Sequence, residues 1–343
     1  MSYPLAVVDD PSFDEHRPPG PHPERPERLF AARRAAERVA ARVGRVDIAA
    51  RGASDDELAR VHHPEYVERL GLAAGSWSTW DEDTYAAPGS PNASRRAAGG
   101  AVELVNALLD GKATRGVALL RPPGHHAVPA GAMGFCLLNN VAIAAAHARA
   151  RGAGRVLIVD FDVHHGNGTQ DTFYADPSVL FLSLHQFPLY PGTGRNDEIG
   201  TGEGRGYTVN VPLSAGARDA VYTAAFSRIV APLAAEYAPD LVLFSAGFDA
   251  HRDDPLAQME LTEAGYASMV QELCGALPPA TKIGMLLEGG YDLAALEASL
   301  EASLEALVGG APSAPQAAAA PEERHLAELD RAEQTTRGTF RLG

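Results

Sequence analysis

The chain has 343 residues, 45% of them hydrophobic and 7% aromatic, enough apolar material for a large buried core in one large or two medium domains. Its formal charge of −15 argues against a nucleic-acid partner, which needs clustered Lys and Arg against phosphate, and suits cationic substrates such as polyamines or basic protein tails. No apolar run reaches the roughly 20 residues that span a bilayer, the opening MSYPLAVVDD lacks a basic-then-apolar secretory pattern, and two cysteines (Cys136 and Cys274) are too few for a disulfide framework, so a reducing cytoplasm and no membrane partner are expected.

In chain order, Pro18–Arg28 (PPGPHPERPER) is a proline-rich loop entering a helix near Pro26 or Glu27. A short apolar run followed by Gly, Pro, Asp or His then recurs. Val117–Leu120 runs into RPPGHH, Arg155–Val159 into DFDVHHGNG, Val179–Leu182 into SLHQ, Leu241–Phe244 into SAGFDA, and Ile283–Leu287 into EGGYD. These runs are β-branched or leucine-rich without alternation, as in strands buried on both faces. Between them, Asn139–Arg151, Arg218–Tyr237 and Thr262–Leu277 read as helices. Asp219 falls near one N-terminus, and Thr262 is a candidate N-cap. No repeat of 20–50 residues is visible. Strands alternating with helices predict a parallel α/β sheet covered on both faces, and ligands then bind beyond the carboxyl ends of its strands. Residues 1–308 form the expected catalytic domain. Residues 309–343 are a low-complexity connector (Gly309–Ala320) and a charged helical tail (Pro321–Glu333), which packs on the domain, packs on a neighbour or frays.

The densest polar cluster is Asp160-Phe-Asp162-Val-His164-His165-Gly166-Asn167-Gly168. Asp162 and His164 are two apart at a strand end, so their side chains can point the same way. Carboxylate and imidazole suit Zn²⁺, and also Fe²⁺, Mn²⁺ or Co²⁺. Asp249 is a candidate third ligand from the end of LVLFSAGFD, and three ligands leave a position open for water, as catalytic sites require. A lone DxH is commonly only a turn cap; the crowding here favours metal. His125-His126 can supply the base and acid of amide hydrolysis, with Asp160 and Asn167 as candidates to set their tautomers. Tyr291, after Glu288-Gly289-Gly290, can polarise a carbonyl.

RPPGHHA, GFCLLNNVAIAA, VDFDVHHGNGTQ, VLFLSLHQ, YPGTG, SAGFDAHRDDPL and LEGGYDL resemble the successive motifs of the histone deacetylase superfamily, in that order, over roughly residues 3–308. Asn167 and the LEGGY form are similar to the class II branch, which includes bacterial deacetylase-like and acetylpolyamine amidohydrolases. The resemblance implies an α/β, single-domain arginase/deacetylase-like fold, with a central mostly parallel sheet and helices on both faces. It also implies one catalytic Zn²⁺ on Asp162, His164 and Asp249. His126 would be the general base and acid, His125 its electrostatic partner supported by Asp160, and Tyr291 the donor to the acetyl carbonyl. Asn167 stands where class I enzymes carry an aspartate. Phe135 and Tyr190 would sandwich the alkyl part of the substrate, Gly134 would allow its close approach, and Asp83 would sit on the rim. Structural K⁺ or Na⁺ would bind at Asp160, Asp162, His164, Ser183 and Leu184, with a second site at Phe173, Asp176, Val179 and Tyr207.

Two substrate readings follow: acetyl-lysine, in peptides or small compounds, and acetylated polyamines. Leu256 occupies the position of a glutamate in the eukaryotic polyamine deacetylase, which counts against that mechanism, whereas Glu24, Asp81, Glu82 or Asp83 could supply entrance charge. The complete acid–base set disfavours a non-catalytic acyl-amine binder, and the HH and GGY motifs disfavour a two-metal ureohydrolase. A homo-oligomer is compatible with the sequence.

Overall fold

The computed structural model describes residues 3–309 and 320–342; most of the expected connector, residues 310–319, lies outside the described residues. The strands are β1 (Leu5–Val8), β2 (Arg45–Ile48), β3 (Ser78–Thr79), β4 (Tyr85–Ala86), β5 (Arg115–Ala118), β6 (Val156–Asp160), β7 (Val179–Gln186), β8 (Thr208–Leu213), β9 (Leu241–Ala246) and β10 (Lys282–Leu287). Eight of them form one sheet in the order β2-β1-β5-β10-β9-β6-β7-β8, and every neighbouring pair is parallel. β3 and β4 form a separate antiparallel hairpin.

This order positions the site. β5, β10, β9 and β6 are consecutive neighbours at the centre of the sheet. Their carboxyl ends lead into RPPGHH, EGGY, GFD and DFDVHH, so four segments remote in sequence open onto one edge. The register sets Asp160 level with Ser183 and with Ser245.

The central strands are apolar throughout because both faces are covered: Val156–Val159 and Leu241–Phe244 are fully buried. Helix Ser90–Leu109 packs on β1, β5 and β10 beside helix Asn140–Ala150, while helices Glu27–Val43, Leu293–Leu307 and Glu263–Ala276 pack in a row. Asn139 caps its helix through Oδ1, which accepts from Ala142 N at 3.0 Å.

The remaining helix starts differ in detail. The expected helix Arg218–Tyr237 is three pieces, Asp219–Ala225, a π-turn Phe226–Val230, and Ala231–Tyr237. Thr262 occupies the N-cap position of helix Glu263–Ala276 but makes no cap bond of its own. Instead its N–H and hydroxyl both donate to Asp219, at 2.8 and 2.6 Å, so one carboxylate ties two helix starts together.

The tail helix, Glu323–Thr336, packs on the edge strand β8. Ser214 N donates to Glu328 at 3.0 Å, Arg228 pairs with Glu333 at 2.6 Å, and Phe340 sits edge-on to Tyr207 at 5.8 Å. A helix over an edge covers backbone groups that would otherwise pair with another chain. No described helix is long and apolar enough to cross a membrane.

Candidate active site

β6 ends at Asp160, and the chain turns through residues 161–166 into a short helix from Asn167. In that turn Asp162 and His164 converge with Asp249, which arrives from the turn after β9; one ligand atom from each lies within 4.8 Å of the others. All three are buried. His164 Nδ1 is 3.1 Å from Asp162 Oδ1 and 3.1 Å from Asp249 Oδ2. The other oxygens are oriented by main-chain amides, Asp162 Oδ2 by Gly289 N at 2.8 Å and Asp249 Oδ1 by Val163 N at 2.9 Å. Gly289 must approach this closely: a Cβ there would fall 2.3 Å from Asp249 Oδ2 and 2.5 Å from Asp162 Oδ2.

Two carboxylates buried side by side repel each other and lose hydration, a cost that a bound cation offsets. Two carboxylate oxygens and one imidazole nitrogen are a donor set that fits a single divalent ion with a position left open.

Beside this group stand the paired histidines. His125 Nδ1 is 3.0 Å from Asp160 Oδ2. Burial opposes charge on His125, but Asp162 and Asp160 outweigh it and push its pKa up to about 10. Burial raises the Asp160 carboxyl to about 6 despite the imidazole next to it. His126 behaves oppositely. Burial, then the neighbouring His125, push it well below its ordinary value. Its Nδ1 lies 2.8 Å from Asn167 Oδ1. An amide oxygen only accepts, so Nδ1 carries the proton and Nε2 is a free base.

A channel of about 210 Å³ leads to these groups. Gly134, Phe135, Leu189, Tyr190 and Leu256 wall it, Asp83 stands at the rim, and His126, His164 and Tyr291 form the inner end. Tyr190 is partly exposed and edge-on to His126 at 5.1 Å. Tyr291 is buried, with the Arg28 guanidinium 4.9 Å from its ring centre and Phe135 edge-on at 5.8 Å. Burial holds its phenol well above the ordinary range, so it is a hydrogen-bond donor at any working pH.

Of the residues expected at the cation sites, Asp160, Asp162 and His164 belong to this constellation itself. Ser183 and Leu184 are on β7, where the Ser183 hydroxyl is 2.9 Å from His185 Nδ1. Phe173 O already accepts from Asp176 N, and Tyr207 O from Phe181 N, each at 3.0 Å.

One entrance assignment is overturned. Glu24 is fully buried, bound to Arg121 Nε at 2.5 Å and Nη2 at 2.7 Å, to Arg28 at 3.1 Å and to the Tyr85 hydroxyl at 3.2 Å. Two guanidiniums hold it inside, so it offers no charge to a ligand at the mouth. Asp81 is half-buried and engaged by backbone amides, whereas Glu82 and Asp83 are exposed.

Three residues carry supporting roles that the motifs did not assign to them. Glu288 accepts from Gly124 N at 2.6 Å and His125 N at 3.2 Å, fixing the backbone of the histidine pair. Asp254 accepts from Tyr291 N at 2.6 Å, Asp292 N at 3.2 Å and Leu256 N at 3.0 Å, joining two channel residues. Arg28 donates to Gly290 O at 2.6 Å and to Glu288 O. Arg28 had a signal: it shares a helix face with Ala32, Ala35 and Val39, an arginine on an apolar stripe.

Residues 22–307 match the family model of the histone deacetylase domain. The chain is 46% identical over 301 residues to histone deacetylase 15 of Arabidopsis thaliana, a match covering 85% of this chain and 54% of that protein. It is 41% identical over 304 residues to polyamine deacetylase HDAC10 of Homo sapiens, covering 83% of this chain and 44% of that one. These relatives are thus about twice as long as the matched part. The solved HDA15 HD domain superposes with a TM-score of 0.91 at 40% identity, over 99% of this chain and 96% of that one.

Proposed function

The chain belongs to the histone deacetylase family, and on that premise we propose that it hydrolyses the acetyl or acyl amide of acetyl-lysine or a related N-acetylated amine, releasing acetate. The observation that carries this reading is the convergence, at the inner end of one narrow channel, of a three-residue ligand group, a neutral imidazole and a buried phenol.

Asp162, His164 and Asp249 would hold one Zn²⁺, which supplies Lewis acidity toward the acyl carbonyl and toward water. His126 takes the proton of the attacking water on Nε2, its Nδ1–H being fixed by Asn167. Tyr291 donates its hydroxyl to the carbonyl oxygen and holds the negative charge that develops there. His126 then returns the proton to the departing amine. His125, its Nδ1 held by Asp160, packs its ring 4.0 Å from that of His126 beside the reacting centre. Phe135, Gly134, Tyr190 and Leu256 exclude water along the linear part of the substrate, and Asp83 meets polar groups at the rim. Structural K⁺ or Na⁺ near Ser183 and Leu184, and near Phe173, Asp176, Val179 and Tyr207, belongs to the same proposal.

Acetylated polyamines are a second reading. The similarity to a polyamine deacetylase and the exposed carboxylates of Glu82 and Asp83 favour it; apolar Leu256 on the channel wall disfavours it. A parallel assay of acetate release from acetyl-lysine peptides, longer acyl-lysines, and acetylated putrescine, cadaverine and spermidine separates the two. No turnover of any of these by zinc-loaded protein would refute the deacetylase reading.

A further inference from the structure

Residues Met133 to Cys136 close as a two-residue hairpin, with Met133 N donating to Cys136 O at 3.2 Å and Cys136 N to Met133 O at 2.9 Å. Both central residues have positive φ: Gly134 at +56° and Phe135 at +68°. Turns of this kind favour Gly, Asn or Asp at the centre, and a bulky aromatic in the left-handed region is strained. Strain of this sort persists where the surroundings over-determine it.

The loop between β3 and β4 provides the restraint. Phe135 N–H donates to Thr84 Oγ1 at 2.9 Å, and Gly134 N–H donates to Asp81 Oδ2 at 3.3 Å. Thr84 is fully buried, and its hydroxyl proton points onward to Asp83 Oδ1 at 3.3 Å. Asp81 Oδ1 accepts from Asp83 N at 3.1 Å and Thr84 N at 2.6 Å, which fixes the loop that carries the clamp. The segment that presents Asp83 at the rim therefore also grips the turn that presents Phe135 to the channel.

We infer that Thr84, braced by Asp81, is a positioning residue that sets how the linear part of the substrate fits, by holding Phe135 in its left-handed conformation. This rests on the proposed deacetylase reading. Thr84 bonds to the backbone of a wall residue and to a rim carboxylate, not to His126, Tyr291 or the ligand group. Removing its hydroxyl leaves the Phe135 N–H without this acceptor in a part-buried turn, and the turn relaxes toward the extended region. The ring then leaves its place on the channel wall, and alkyl-chain binding weakens more than proton transfer.

The test uses Thr84→Val, which keeps shape and loses the hydroxyl, Thr84→Ser, which restores it, and Phe135→Ala alone and combined with Thr84→Val. For an acetyl-lysine peptide, Thr84→Val should raise KM about tenfold with kcat within about twofold. Thr84→Ser should recover the parent KM, Thr84→Val should add little on the Phe135→Ala background, and a crystal structure of Thr84→Val should show Phe135 out of the positive-φ region. An unchanged KM with Phe135 still at positive φ overturns the inference, as does a Thr84→Val effect that survives in full without the Phe135 ring. Should Thr84→Val not fold, Asp81→Asn with the same readouts decides the matter. If the parent protein releases acetate from no amine, the deacetylase reading fails, and the Phe135 backbone in the variant crystal still decides whether the clamp exists.

Discussion

Glu24 is the residue whose replacement most directly probes the buried charge beneath the site. Its carboxylate meets two guanidiniums, Arg121 in bidentate fashion and Arg28, with His16 Nε2 3.3 Å away, and no member of this set is exposed to solvent. Glu24→Gln keeps the shape and removes the charge, leaving two buried cations facing an amide. Breaking a buried pair from one side costs about 3–5 kcal/mol. At about 2 °C per kcal/mol for a large domain, the melting temperature at pH 7 should fall by about 6–10 °C. Burial alone would raise the Glu24 carboxyl, but Arg121 and its hydrogen bonds outweigh this and hold it well below the usual carboxylate range. A depressed folded-state pKa contributes stability that is fully present above the unfolded value, about 4.3, and is lost as pH falls through the folded value. The gap between parent and variant should therefore be constant from pH 8 to 5 and shrink in stronger acid. Urea and thermal melts across pH measure it. A gap below about 0.5 kcal/mol at pH 7, the size expected of an ordinary surface change, would refute the reasoning.

Three further outcomes follow from the geometry. Tyr291→Phe should lower kcat about 10²–10³-fold, the effect of losing one oxyanion donor, without changing zinc content, because the ring stays held by Arg28, Phe135 and the Asp254 cap; undiminished turnover would remove Tyr291 from the chemistry. Gly134→Ala should depress activity well before it affects folding, because the new Cβ would lie 2.4 Å from His126 Cδ2 and the residue sits at φ +56°; full activity, or an undisturbed His126 in the variant crystal, would contradict this. Chelation should abolish activity and destabilise the protein, since Asp162 and Asp249 are left as buried neighbouring carboxylates. Zinc at a thousandfold over its Kd should restore about 4 kcal/mol, read as a shift in melting temperature that His164→Ala does not show.

Much of this architecture is legible in local patterns. The five apolar runs expected as strands correspond to β5, β6, β7, β9 and β10, with ends shifted by up to a few residues. β1 gives a weak signal because LAVV is short, and β2 because RVDI is a half-exposed edge strand. β8 has a proline near its end. Helix Ser90–Leu109 is masked because Pro91, Gly99 and Gly100 read as breakers. Gly99 is required there by packing, since a Cβ would fall 2.0 Å from Arg51 O. No local pattern carries that information.

Residue type and spacing alone identified the strand-end clusters and the chemistry they can perform, because the alternation of side chains along a strand and the apolarity of a buried run are properties of each segment by itself. The tertiary structure decided which acidic groups do what. Asp162 meets Asp249 while Asp160, two residues earlier, meets His125. Glu24 lies in an internal ion network rather than at the mouth. Thr84 reaches Phe135 across 51 residues of sequence. A carboxylate or hydroxyl takes its role from its partner and its hydration, and both are fixed when remote segments pack together.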